Sequence, residues 1–250
     1  MDGVVTYQSS EELWASYASM LVDLAKEHGA TAVGELGGGA NPVLADESAW
    51  GFVPTRAVYD ISPTELGKAA EHLDKRQADL CRPLEGEGGE YDLVFSKMLC
   101  EHLPDPETFH RNCFRLLRPG GRSVHFFPTL YALPFVLNRL IPEKAARRVL
   151  GVVQPGRLDN PLTEKFPAYY RWCRGPTPAN LRRFEGLGFE VERWEAGYGH
   201  SYYRRLPGPL DRLEQIKTER LIRRPHPALT SFATIVLRKP TGREQPIDQV

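Results

Sequence analysis

The stretch VGELGGGANP, Val33 to Pro42, decides how this chain is read. A short apolar run ends in an acid, Glu35, and three consecutive glycines follow it at once. Glycine lets the backbone turn through positive φ and lets a ligand approach main-chain N–H groups, so this is a strand running into a ligand-binding loop. The flanking pattern supports that reading. Thr31–Leu36, Thr55–Ile61, Tyr91–Lys97 and Arg122–Thr129 read as short buried strands. Between them, Pro63–Arg76 and Asp105–Gly121 read as helices, the first with proline near its first turn and the second with a Pro-Gly-Gly stop. Strands alternating with helices at this spacing predict βαβ units and a parallel sheet, in which ligands sit at the carboxyl ends of the strands.

Composition sets wide bounds. The 250 residues suffice for one α/β domain with an insertion. Hydrophobic residues are 41% and charged residues 26%, which excludes a wholly disordered chain. Lys plus Arg and Asp plus Glu are 32 each, so a general affinity for nucleic acid is not expected. Cys81, Cys100, Cys113 and Cys173 form no Cys-x-x-Cys pair, and reduced thiols are expected rather than disulfides or zinc. The first residues, MDGVVTYQSSEELW, lack an export signal, and no apolar run reaches membrane-spanning length. A cytoplasmic protein is the expectation.

The outer segments are less regular. Ser9 with Glu12 fits a capping box, and Leu13, Trp14, Tyr17, Met20, Leu21 and Leu24 recur at helical spacing until His28 and Gly29. Thr177–Phe189 reads as a capped helix, Glu190–Gly197 as a strand, Gly208–Arg224 as a charged helix and Leu229–Lys239 as a final strand. Leu130–Pro176 breaks the alternation with amphipathic segments, prolines and aromatics.

Four features narrow the ligand. Glu35 precedes the glycines, where a negative charge suits a cationic or zwitterionic group better than a pyrophosphate. Asp60 ends the second strand, placed to take both ribose hydroxyls. Asp79 with Leu80 follows the next helix, and YDLVFS carries Asp92 at its head and Ser96 near its far end. In order and spacing, ELGGGAN, YDIS, YDLVFS and LRPGG resemble the motif series of the class I S-adenosylmethionine-dependent methyltransferases. The resemblance is specific from Ala30 to Thr129 and looser over Thr177–Lys239. Asn41 stands where the family has its third glycine, and Asn tolerates left-handed backbone.

That resemblance implies a Rossmann-like, seven-stranded, mostly parallel sheet with helices on both faces, the last strand antiparallel and a helical insertion after the fourth predicted strand. It implies S-adenosyl-L-methionine as methyl donor, with S-adenosyl-L-homocysteine as product. Glu35 and the backbone of Gly37, Gly38, Gly39 and Asn41 would hold the methionine part, Asp60 and Ile61 the ribose side, and Asp79 with Leu80 the adenine. Ser96 would line the donor pocket, and Asp92 would bond loop backbone. Residues 1–29 are expected as an N-terminal helix or lid, 30–129 with 177–240 as the cofactor-binding domain, 130–176 as an inserted acceptor-binding or lid region, and 241–250 as a polar tail.

The acceptor expected is a small, partly apolar molecule, methylated at oxygen rather than nitrogen or carbon, in specialised or lipid-linked glycan metabolism. His102, in the loop after YDLVFS, is the candidate base; His125 and His200 are further candidates, and a structural role for His102 stays open. Related quinone-pathway O-methyltransferases carry Glu-x-x-Glu-His here, and Met98 replaces the first glutamate, so no metal is expected. His110 with Cys113 reads as packing. The insertion, with Arg139, Lys144, Arg147 and Arg148, reads as a lid, a homodimer surface or a peripheral membrane contact, while Arg204, Arg205, Arg220, Arg223 and Arg224 read as solvated. Two alternatives remain: a methyltransferase-like module that binds the cofactor without turnover, and a nicotinamide-dependent oxidoreductase. The second lacks the Tyr-x-x-x-Lys pair of short-chain dehydrogenases.

Overall fold

The computed structural model describes residues 4–86, 88–130, 167–199 and 210–242. Its strands are β1 (Val5–Ser9), β2 (Ala32–Leu36), β3 (Thr55–Asp60), β4 (Asp74–Gln77), β5 (Tyr91–Lys97), β6 (Leu117–Pro128), β7 (Glu190–Tyr198) and β8 (Phe232–Arg238). They form one sheet in the order β1-β7-β8-β6-β5-β2-β3-β4. All neighbours are parallel except β8, which runs antiparallel to both β6 and β7. The antiparallel last strand is as expected; the strand count is eight, not seven. The added strand is β1, which pairs with β7 at the sheet edge and leads directly into the first helix.

The helices are α1 (Ser10–Glu27), α2 (Glu47–Trp50), α3 (Pro63–Lys68), α4 (Pro106–Leu116), α5 (Pro178–Gly186) and α6 (Leu210–Arg223). The capping box at the start of α1 is complete: Glu12 N–H donates to Ser9 Oγ at 3.1 Å, and Ser9 N–H donates to Glu12 Oε2 at 3.0 Å. Leu13, Tyr17, Leu21 and Leu24 face the sheet, whereas Trp14 is 42% exposed and lies off that stripe. Ser9→Ala removes the Oγ that accepts from Glu12 N–H while keeping the bond from Ser9 N–H, and is expected to cost about 1 kcal/mol, lowering the melting temperature by about 2–4 °C in a calorimetric scan.

Two helices are shorter than their sequence suggests. The predicted helix Pro63–Arg76 ends at Lys68, and Asp74–Gln77 pairs with Ala57–Asp60 as the other edge strand. An edge strand facing water on both sides needs no apolar alternation, and its charges discourage further pairing. Arg76 fixes it, donating to Tyr59 Oη at 3.0 Å, Glu90 at 2.6 Å and Asp74 at 2.7 Å. Likewise, α4 stops at Leu116 rather than Gly121. The LRPGG segment belongs to β6, where Gly120 at φ +84° absorbs the register shift against β5.

At the amino end of the central strands, Asp92 accepts from Thr31 N–H (2.8 Å), Thr31 Oγ1 (2.9 Å), Ala32 N–H (3.0 Å) and Arg118 (2.9 Å). Burial alone would raise its pKa, but these bonds hold it below the ordinary value. Asp92 thus ties loop backbone, as the sequence reading expected. The insertion's helical expectation and its basic residues lie outside the described residues, as do Arg204, Arg205 and His200. What is described of it, residues 167–176, contains no helix or strand and bonds to Glu101 O through Tyr169 and Tyr170 N–H, with Tyr170 and Cys173 in the core.

Candidate active site

The carboxyl ends of β2, β3 and β5 converge on the glycine loop. β2 is central and fully buried, Glu35 included. Its carboxylate accepts from Leu44 N–H at 3.0 Å, bracing the loop against the turn at Val43–Ala45. Burial pushes Glu35 up to about 7, against the pull of those backbone N–H groups and of Lys97. Gly37 adopts φ +74° and donates its N–H to Tyr59 O at 2.7 Å. A Cβ on Gly38 would fall 2.7 Å from Val58 Cγ2, 3.0 Å from Pro42 Cβ and 3.2 Å from Glu35 Cδ. The loop therefore closes directly over the acid, and glycine is a packing requirement there.

Gly39, at φ +52°, faces Asp60: a Cβ there would lie 3.4 Å from Asp60 Oδ2. Asp60 Oδ1 accepts from Ser62 N–H at 2.9 Å, which fixes the carboxylate at the strand end. Ile61 beside it is 52% exposed, and Asn41 is exposed. A bare backbone rim, a fixed carboxylate and an uncovered apolar side chain suit a nucleoside with ribose hydroxyls and a flat base, so these residues fit S-adenosylmethionine.

Other expected residues are placed differently. Asp79 caps a turn through Cys81 N–H at 3.0 Å and pairs with Arg82 at 3.2 Å, so its carboxylate is committed locally. Leu80 is 7% exposed, and its carbonyl accepts from Asn112. Ser96, expected to line the donor pocket, has no exposed surface. Its strand partner is His125: Oγ meets His125 Nδ1 at 2.8 Å, while His125 Nε2 meets Ser123 Oγ at 2.6 Å. Burial pushes His125 down to about 3 and His110 well below its ordinary value, so both rings are neutral. The side chains of His110, Cys113 and His125 lie within 4.8 Å of one another, inside a shell that includes Phe109, Trp172 and Phe184. Trp172 stacks on His110, so this part of the insertion's aromatic cluster is core.

His102 sits in a single turn after β5, half-exposed. Its Nδ1 lies 3.0 Å from Pro167 O; a carbonyl only accepts, so Nδ1 carries the proton and Nε2 is the basic nitrogen of the neutral ring. Its neighbour Glu101, the retained second glutamate of the Glu-x-x-Glu-His pattern, was given no role by the sequence; it is 3% exposed, with Oε1 3.8 Å from His102 Nε2 and Oε2 buried without a hydrogen-bond partner among the described residues. Burial pushes Glu101 up to about 8. Nothing in the sequence marks a glutamate beside a histidine as buried.

This fold is the Rossmann-like fold that solved methyltransferases share. The comparisons agree with the sequence resemblance to the class I S-adenosylmethionine-dependent methyltransferases. The family model described as a methyltransferase domain matches residues 35–125. The ubiquinone biosynthesis O-methyltransferase of Methylococcus capsulatus is 30% identical over 147 residues, 52% of this chain and 56% of that protein. The chain thus matches about half the length of such curated relatives. Among solved structures, an S-adenosylmethionine-dependent methyltransferase from Mesorhizobium loti superposes with TM-score 0.54 at 16% identity, covering 90% of this chain and 98% of that one. The N-methyltransferase NodS from Bradyrhizobium japonicum, in complex with S-adenosyl-L-homocysteine, superposes with TM-score 0.51 at 15% identity, covering 90% and 87%. Among the described residues, no helix is long and apolar enough to cross a membrane.

Proposed function

We propose that this chain binds S-adenosylmethionine on the rim formed by Gly37, Gly38, Gly39, Asn41, Asp60 and Ile61, and moves its methyl group to a small, partly apolar acceptor, preferentially at oxygen. The observation that carries the reading is the glycine loop closed over Glu35 with Asp60 facing Gly39. The sulfonium supplies an activated methyl carbon, and the protein's task is alignment and exclusion of water. Glu35 braces the loop and offers negative charge to the ammonium of the methionine part. Asp60 takes the ribose hydroxyls, with Ile61 against the base. Asp79 and Leu80 stay candidates for the adenine edge, although Asp79 would first have to release Arg82.

His102 is the candidate base. Its Nε2 would accept the acceptor's hydroxyl proton as the new oxygen–carbon bond forms and the carbon–sulfur bond breaks, and Pro167 O would stabilise the resulting imidazolium through Nδ1–H. The name of the Methylococcus relative favours oxygen as the atom methylated.

Calorimetric titration with S-adenosylhomocysteine tests the reading. Binding is expected, with Asp60→Ala weakening it at least about tenfold, the scale of one lost charge-assisted hydrogen bond. No heat at millimolar ligand would refute the proposal. Binding with no transfer to any member of a metabolite library would favour a cofactor-binding module instead.

A further inference from the structure

The sheet end that carries the glycine loop carries a second feature. Lys97 is the last residue of β5, and its partner in β6 is Phe126. Its ammonium lies 5.0 Å from the centre of the Trp14 ring. Trp14 makes edge contacts with Phe126 (4.8 Å) and Phe232 (5.8 Å), and those two rings stack at 5.6 Å. Because β8 runs antiparallel, Phe232 at its start stands at the same sheet end as Lys97 and the glycine loop. Phe126 and Phe232 are buried, but Trp14 keeps 42% of its surface exposed. Lys97 has no carboxylate within ion-pair reach among the described residues, and it is close enough to Glu35 to favour that group's ionised form.

A cation resting on an indole is poised to be exchanged. The contact is worth little in water, and an anion offered at the same place would displace it with a stronger, directional bond. The exposed indole supplies a flat apolar wall beside that charge. Another lysine–aromatic pair, Lys26 over Phe52 at 5.4 Å, sits where α1 ends and β3 is about to begin, at the opposite end of the strands. Position therefore separates a surface pairing from a site.

We propose that Trp14 and Lys97 form the acceptor subsite, and that the acceptor is an aromatic or flat apolar molecule bearing an anionic group. The carboxylate, or a group of like charge, pairs with the Lys97 ammonium, and the apolar body lies on Trp14. This deepens the methyl-transfer reading and rests on it for the word acceptor, but not for the binding.

The test uses the full chain with benzoate, 3-phenylpropionate and 2-naphthoate, each beside its neutral amide, followed by Trp fluorescence and calorimetry. At least one acid is expected to bind about tenfold more tightly than its amide. Lys97→Met should abolish that preference while leaving amide binding unchanged, and Trp14→Ala should weaken acid and amide alike. An unchanged preference in Lys97→Met, or unchanged affinity in Trp14→Ala, overturns the proposal. So does the absence of binding by all three acids up to about 10 mM, the weakest affinity such a contact pair would give. Titration with S-adenosylhomocysteine forms a separate arm. Donor binding without the acid preference overturns the subsite alone, and the acid preference without donor binding overturns the methyl-transfer reading alone.

Discussion

Gly38→Ala is expected to destabilise the protein by about 1–3 kcal/mol and to weaken S-adenosylhomocysteine at least about tenfold, while Gly67→Ala is expected to stabilise it by about 0.5–1 kcal/mol. The added methyl is the same, and the surroundings set the sign. At Gly38 it would meet Val58 Cγ2 at 2.7 Å and Pro42 Cβ at 3.0 Å. Val58 is fully buried in β3 and Pro42 is a rigid buried ring, so neither can yield by swinging a flexible end. The Glu35 carboxyl at 3.2 Å would also be pushed from its bond to Leu44. Gly67 lies within α3 with nothing within 4 Å of a new Cβ, so alanine only narrows the unfolded ensemble and favours the helix. Urea unfolding of both variants reads the sign directly. Equal effects in the two would show that the loop is not packed as described.

The parts of this molecule written in local chemistry could be read before the structure. Glu35 and the glycines lie at the end of β2 and Asp60 at the end of the neighbouring β3, so short local motifs carry the rim. The capping box at Ser9 is a contact over three residues, so it needed no tertiary knowledge. β4 was hidden because Asp74–Gln77 has no apolar face, and only its pairing to β3 makes it a strand. β1 was hidden for a similar reason: Val5–Ser9 is short and none of its residues is fully buried.

The site itself was legible on the donor side and poorly so elsewhere. Trp172 lies in the insertion read as a lid, a dimer surface or a membrane contact, but composition cannot distinguish a ring packed on His110 from one facing a ligand. Trp14 erred in the opposite direction: it follows Leu13 in a stripe counted at helical spacing, yet the buried set runs Leu13, Tyr17, Leu21, Leu24 and passes it by. Ser96 shows the same limit at the level of a strand. Its place near the end of β5 was visible, but its full burial against His125 was not.

The unliganded protein is expected to lose about 2 kcal/mol of stability between pH 6.5 and pH 8, a fall of about 4–8 °C in melting temperature. Two buried carboxyls set this slope. Burial pushes Glu35 up to about 7 and Glu101 to about 8, so the folded protein holds protons that the unfolded chain has already released above its ordinary carboxyl value. A raised acid therefore contributes stability below the unfolded value and loses it as pH rises through the folded one, at up to about 1.4 kcal/mol per pH unit for each group. Glu101 is the larger contributor, because its Oε2 has no hydrogen-bond partner among the described residues and its value lies highest. Below pH 6.5 the trend is countered. Burial pushes His125 down to about 3 and His110 down as well, so falling pH protonates these rings only in the unfolded chain and takes stability away. Stability should level off between about pH 5 and 6.5, where the acids and the histidines oppose one another. Glu101→Gln should remove most of the loss above pH 6.5, and Glu35→Gln the smaller part. Donor binding adds a distinct signature: an ammonium beside Glu35 favours its ionised form, so S-adenosylhomocysteine should bind more weakly as pH falls below about 7, and Glu35→Gln should flatten that dependence. A melting temperature constant from pH 6.5 to 8 would show that neither carboxyl is held protonated in the folded chain.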